Sequence, residues 1–226
     1  AALMGLLMSI KSEHPLHDMS WVGWPLLFIV HYRLLWVTDH VPEFENERVS
    51  GWLHAGAFWV LMLLIAWEGH WRLDQHMTGV WPILPWGLAP AALLWVLSPS
   101  TLVPAWPLAR HERASRLMAA VPLAIGCLLW VLMSNWVSDG EASGLRYIPL
   151  FNPLDMSCAF ALSAVLVWWR GLRQEWRQQL WPYPGLMPMT AFVELIFLWV
   201  NAALIRALHC SVDTRRDMDG VMHAVI

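Results

Sequence analysis

Charge is scarce in this 226-residue chain: Asp, Glu, Lys and Arg make up 14% of it against 58% hydrophobic residues. Its mean hydropathy of +0.47 lies well above that of a soluble globular domain, which needs a polar surface. Of 14 basic residues one is a lysine, Lys11, and the arginines are scattered between apolar blocks rather than gathered into a stripe. Nucleic acid is therefore not an expected partner. Cysteine is scarce too. Cys127, Cys158 and Cys210 lie in or at the end of apolar stretches and form no C-x-x-C pair, so they read as small buried apolar residues. There is no Gly-Lys pair for a phosphate loop, no H-E-x-x-H and no G-x-S-x-G, which removes the mechanisms that depend on those motifs. The apolar start, Ala1 to Ile10, lacks a charged leader and so does not read as a signal peptide. Because a new apolar stretch begins near Gly220 and stops at Ile226, the expectation is a piece of a longer protein cut at both ends.

Apolar runs are abundant. Six blocks stand out, at roughly Ser20 to Val37, Gly51 to Trp67, Gly79 to Val96, Leu117 to Val137, Met156 to Trp169 and Thr190 to Leu208. At about 1.5 Å per residue most can cross a hydrocarbon layer of about 30 Å, the shortest only with its flanks. Within lipid every backbone N–H and C=O must be satisfied in its own segment, and β-barrel alternation is absent, so the spans are helices. Many of the 18 tryptophans sit where a block meets its loop, among them Trp21, Trp24, Trp36, Trp52, Trp67, Trp71, Trp136, Trp168 and Trp169. That is the aromatic belt of a membrane interface. The expected fold is all-α: one polytopic transmembrane bundle over residues 1–226, with about six complete spans plus two truncated ones, in a bacterial inner membrane. Lys and Arg favour the loops after the first, third and fifth spans, which places those loops in the cytoplasm and the 138–155 loop outside. Expected partners are membrane lipids and the remaining helices of the parent chain.

Polar residues inside apolar helices cost free energy to insert, which makes them candidates for function. In the last span Glu194, Asn201 and His209 recur at seven and eight residues and share one helix face, with Arg206 near its end. Such a face can line a path for a lipidic or small polar molecule. Equally, Asn201 can be interhelical glue while Arg206 and His209 snorkel to the interface. His31 in the first span and His54 in the second are brought together by antiparallel neighbours, and read as a satisfied pair rather than a metal or haem site. The H-P-L-H run at His14 and His17, with His70 and His76, reads as solvated loops. No metal site is predicted, and no cofactor is indicated.

The most distinctive stretch is the loop from Asn135 to Asp155. Pro149 and Pro153 impose extended or turn geometry, and Asn152 or Asp155 is placed to cap a helix beginning near Met156. Asp139, Glu141, Arg146 and Tyr147 also gather there, where an acid, a base or the mouth of a binding site can form.

The run Y-I-P-L-F-N-P-L-D from Tyr147 to Asp155, with Asn135 and Asp139-Gly140 before it and L-W-V-N-A-A-L-I-R-A-L-H from Leu198 to His209 after it, resembles the C-terminal part of a family of very large polytopic predicted bacterial membrane proteins of unknown function. The resemblance is close in the second half of the chain and looser in the first, through Trp24, Pro25, His31 and Tyr32. It implies many further helices on the N-terminal side and departs at Cys210, where a second His is expected. Two active roles follow. One is transport or binding in the cell envelope along the Glu194, Asn201, Arg206 and His209 helix, with Tyr147 and Asn152 at its mouth. The other is a membrane-embedded enzyme acting on a lipid-linked substrate through Asp139, Glu141 or Asp155. A structural scaffold is the third reading.

Overall fold

A computed structural model describes residues 14–40, 47–98, 106, 110–145, 148–174, 177, 180, 190 and 192–208. Both terminal apolar segments, Arg146, Tyr147, His209 and Cys210 lie outside the described residues. Within the described residues the chain is all-helical: α1 (Ser20–His40), α2 (Glu47–His76), α3 (Leu84–Leu97), α4 (Ala120–Val137), α5 (Pro153–Gly171) and α6 (192–208). A short 3₁₀ turn, Trp81–Ile83, leads into α3. A π-helical stretch, Ala114–Ala119, leads into α4. Pro122 explains the π-helical stretch, because it has no N–H to return to the carbonyl four residues earlier and the preceding turn widens to accommodate that.

The helices run alternately up and down. Leu16, before α1, meets Glu68 near the end of α2, whereas Asp39, at the end of α1, meets Ser50 near the start of α2. Val80 meets Glu141, and Arg206 of α6 meets Asn135 at the end of α4. One end of the bundle thus gathers Asp39, Ser50 and His111. The other gathers residues 77–80, 138–145 and 148–152 and Arg206.

Helix α3 is the axis. It is packed by α5, α2 and α4, and it buries Leu84, Gly87, Ala89, Pro90, Ala91, Leu93, Leu94 and Leu97. Gly87 is where α4 comes closest: a Cβ there would meet the Trp130 ring at 2.3 Å, and the Trp130 indole donates to the Ile83 carbonyl. Helix α5 buries a stripe at three- and four-residue spacing, Leu154, Cys158, Ala161, Val165 and Trp168, as an amphipathic helix does. Helix α6 packs through Phe192, Leu195, Trp199, Ala203 and Arg206, again at helical spacing. In contrast, the principal contact of α1 is a limited one with α2.

Among the described residues two stretches are long and apolar enough to cross a membrane, Val49–His76 and Ala114–Val137, and Trp81–Leu97 is a shorter apolar one. The third apolar block is trimmed because Gly79 belongs to a β-bridge with Ala142 rather than to a helix. Six complete spans are therefore not established by length and composition. Large apolar side chains are nevertheless exposed all round the bundle, including Ile29 and Leu34 of α1, Leu129 and Met133 of α4, and Phe197, Ile205 and Leu208 of α6. A water-facing surface does not tolerate that much apolar area, whereas lipid or further helices do.

Candidate functional site

Of the buried carboxylates among the described residues, Asp155 and Asp39 lie at opposite ends of the bundle. At the loop end, Asn152 is the N-cap of α5, its side-chain oxygen accepting from Leu154 N at 2.9 Å. Its amide donates to Gly140 O at 2.7 Å, which ties the cap to the loop. Asp155 follows in the first turn and is wholly buried. One of its oxygens accepts from Leu150 N at 3.2 Å, and the other from the Arg206 guanidinium at 2.5 Å. Arg206 also donates to Asn135 Oδ1 at 2.9 Å, and Asn135 in turn donates to Val131 O. A buried Asp and a buried Arg thus join α4, α5 and α6. Leu150, held by Asp155, has φ of 67°, a left-handed conformation costly for a side chain of its size.

The loop beside this pair is locked as well. Gly79 has φ of 78°, and a Cβ on it would lie 2.2 Å from Glu141 O, so only glycine fits against that carbonyl. Val80 N donates to Glu141 O at 2.8 Å. Asp139 and Glu141 are exposed, and Asp139 Oδ1 accepts from Glu141 N in a local turn.

At the other end Asp39 is the centre. His111 Nε2 lies 2.7 Å from Asp39 Oδ2, the Trp106 indole donates to the same oxygen at 2.9 Å, and Ser50 donates to Oδ1 at 3.0 Å. Three donors thus converge on the buried Asp39 carboxylate near the end of α1. His54 Nε2 stands 3.7 Å from Asp39 Oδ2, close enough for ion pairing and too far for a hydrogen bond. The His54 ring is fully buried, 4.4 Å from the His111 ring centre, and neither of its nitrogens has a hydrogen-bond partner. Its other ring neighbours are Trp106 and Tyr32.

Several expectations change here. His31 and His54 do not satisfy one another, since His31 Nε2 also lacks a partner. His14 is not a solvated loop residue: it stacks on Trp71 and bonds the buried Glu68, which also takes Arg72 and Leu16 N. Glu194 is exposed, and Asn201 turns its amide back to Phe197 O on its own helix. Arg206 sits on the packed stripe instead, so Glu194 and Arg206 do not share a site. Asp139 and Glu141 are exposed, whereas Asp155 is buried. Asn152 is a cap and a loop tie. The Tyr147 and His209 candidates lie outside the described residues.

Asp39 and His111 were not picked out from sequence. The available signal was a charged or titratable residue just outside an apolar block on each of several loops that alternation assigns to one membrane face.

A family model described as "Predicted membrane protein (DUF2339)" matches residues 1–223. The chain belongs to that family. The match takes in the first half of the chain as fully as the second, beyond the stretch where the motif resemblance is closest. It supports a membrane protein whose family description assigns no activity. No curated protein and no solved structure shows significant similarity to the chain.

Proposed function

We propose that this DUF2339 chain is a multi-pass scaffold of the bacterial inner membrane, with α1 to α6 all crossing, whose buried polar residues fix helix packing and whose outer faces dock lipid and further helices of its parent protein. The observation that carries this reading is the Asp155–Arg206–Asn135 linkage. All of these side chains point inward at a junction of three helices and bond one another. Removing such a pair from water costs several kcal/mol, so it serves the register of the helices more than their stability. The enzyme reading has less support, because Asp155 has both oxygens engaged and Asp139 is occupied in its own turn. Positive-inside counting assigns the Asp39 end to the cytoplasm and the Asp155 end to the outside.

The test uses full-length protein in nanodiscs with the paired replacement Asp155→Leu with Arg206→Met. On the scaffold reading the double variant folds and assembles, and native mass spectrometry finds the same co-purified molecules as in wild type. Selective loss of one bound lipid or polar molecule in a folded double variant would overturn it.

A second reading, transport or binding of a lipidic or small polar molecule, is favoured by one observation. Glu194 is a carboxylate exposed among the exposed apolar side chains Val193, Phe197 and Leu198, a setting lipid does not accept unless a partner helix or water covers it. Glu194→Gln should then alter ligand retention without altering thermal stability.

A further inference from the structure

The geometry points to a divalent transition-metal site, of the class zinc fills, formed by Asp39, His54 and His111. This goes beyond the scaffold reading and does not depend on it. One carboxylate oxygen and one nitrogen from each histidine lie within 4.8 Å of one another. Zinc bonds nitrogen and oxygen at about 2.0–2.1 Å, which sets tetrahedral ligand atoms about 3.3 Å apart. Here Asp39 Oδ2 is 2.7 Å from His111 Nε2 and 3.7 Å from His54 Nε2, so the two distances bracket that spacing. An entering ion would lengthen the Asp39–His111 contact and draw His54 in.

The second observation is His54 itself. It is fully buried, its Nε2 is directed at Asp39, and neither nitrogen has a hydrogen-bond partner. An unsatisfied buried polar group costs about 1–3 kcal/mol, and a ligated metal would relieve one of the two nitrogens. The remaining surroundings suit a metal centre. Ser50 holds the other Asp39 oxygen, as outer ligands orient a metal-bound carboxylate. Two imidazoles and one carboxylate leave a fourth position for water, and they carry one negative charge against the two positive charges of the ion. Arg116 and Arg173 pair with Glu112. The ligands come from α1, from α2 and from the turn before the π-helical stretch, so the ion would staple α1, whose contact with α2 is limited, to the rest.

The experiment is zinc binding to the full-length protein in nanodiscs, stripped with a chelator and titrated with Zn²⁺ alone, with Co²⁺ as the spectroscopic probe. Wild type should bind one Zn²⁺ more per chain than His54→Leu, and His111→Ala should weaken that ion's binding by more than about 100-fold, a larger loss than second-shell changes give. Bound Co²⁺ should show the ligand-field bands of a four- or five-coordinate nitrogen and oxygen site, absent in His54→Leu. Leucine fills the buried space without a polar atom, and circular dichroism checks that this variant keeps its helices. Zinc should also raise the melting temperature of wild type and leave that of His54→Leu unchanged. Equal zinc content in wild type and folded His54→Leu, or no zinc bound by folded wild type, would overturn the assignment.

Discussion

Asp155 and Asp39 are both buried carboxylates at the end of a helical bundle, and both accept several hydrogen bonds. They differ in what faces them. Asp155 meets a guanidinium, a cation at every accessible pH, and its second oxygen is taken by Leu150 N. Asp39 meets two imidazoles, an indole and a hydroxyl, and one imidazole has no hydrogen-bond partner. A carboxylate opposed by arginine is finished as it stands, whereas one opposed by histidines has room for another positive charge. The first arrangement fixes geometry, and the second can respond to its surroundings. That contrast separates clamp from candidate centre more clearly than burial does, since burial is nearly the same at both.

The largest effect should come from breaking the clamp on one side only. Arg206→Ala leaves Asp155 buried without its cation and should cost about 3–5 kcal/mol, read as a lowered midpoint of unfolding in detergent. Adding Asp155→Leu should return part of that loss but not all of it, because Leu150 N then has no acceptor. Full recovery would mean that the Leu150 bond contributes nothing.

Asp39→Ala should cost somewhat less in metal-free protein, about 2–3 kcal/mol, because His111, Trp106 and Ser50 lose their acceptor but no permanent charge is stranded. A loss equal to that of Arg206→Ala would erase the distinction between the two ends.

Gly79→Ala should cost about 2 kcal/mol, through the left-handed backbone and the clash with Glu141 O. Hydrogen exchange should then quicken at Val80 and Leu150 and stay unchanged around Ser50, if the two ends open independently.

The smallest change expected is a gain. Leu150→Gly removes a left-handed strain of about 1–2 kcal/mol but frees the unfolded chain, leaving a net stabilisation under about 1 kcal/mol in thermal unfolding.

Much of this fold is legible in sequence because apolar length and helical period are local properties. The blocks at Ser20, Gly51, Leu117, Met156 and Thr190 each became a helix. The α2 helix runs to His76, well past its apolar block, because Glu68, His70 and Arg72 continue it with polar partners. The third block begins two residues later as a helix than its apolar pattern does, since the bridge that claims Gly79 is a contact between loops and leaves no periodic trace. The same limit governs the sites. Asn152 was legible as a cap because its partner is two residues away. The Asp155–Arg206 pair spans 51 residues and the Asp39–His111 pair 72, so neither is written in any local spacing. Glu194 and Asn201 do lie on one side of α6. Period alone could not say that the packed side would be the one carrying Arg206.

The short central helix has an electrical consequence. The 3₁₀ turn and α3 together run from Trp81 to Leu97, about 25 Å at helical rise, whereas α2 beside them runs from Glu47 to His76. Both ends of that axis are covered, since Val80, Leu97 and Ser98 are buried. On the six-span reading a transmembrane voltage therefore falls across packed side chains along the axis of the bundle.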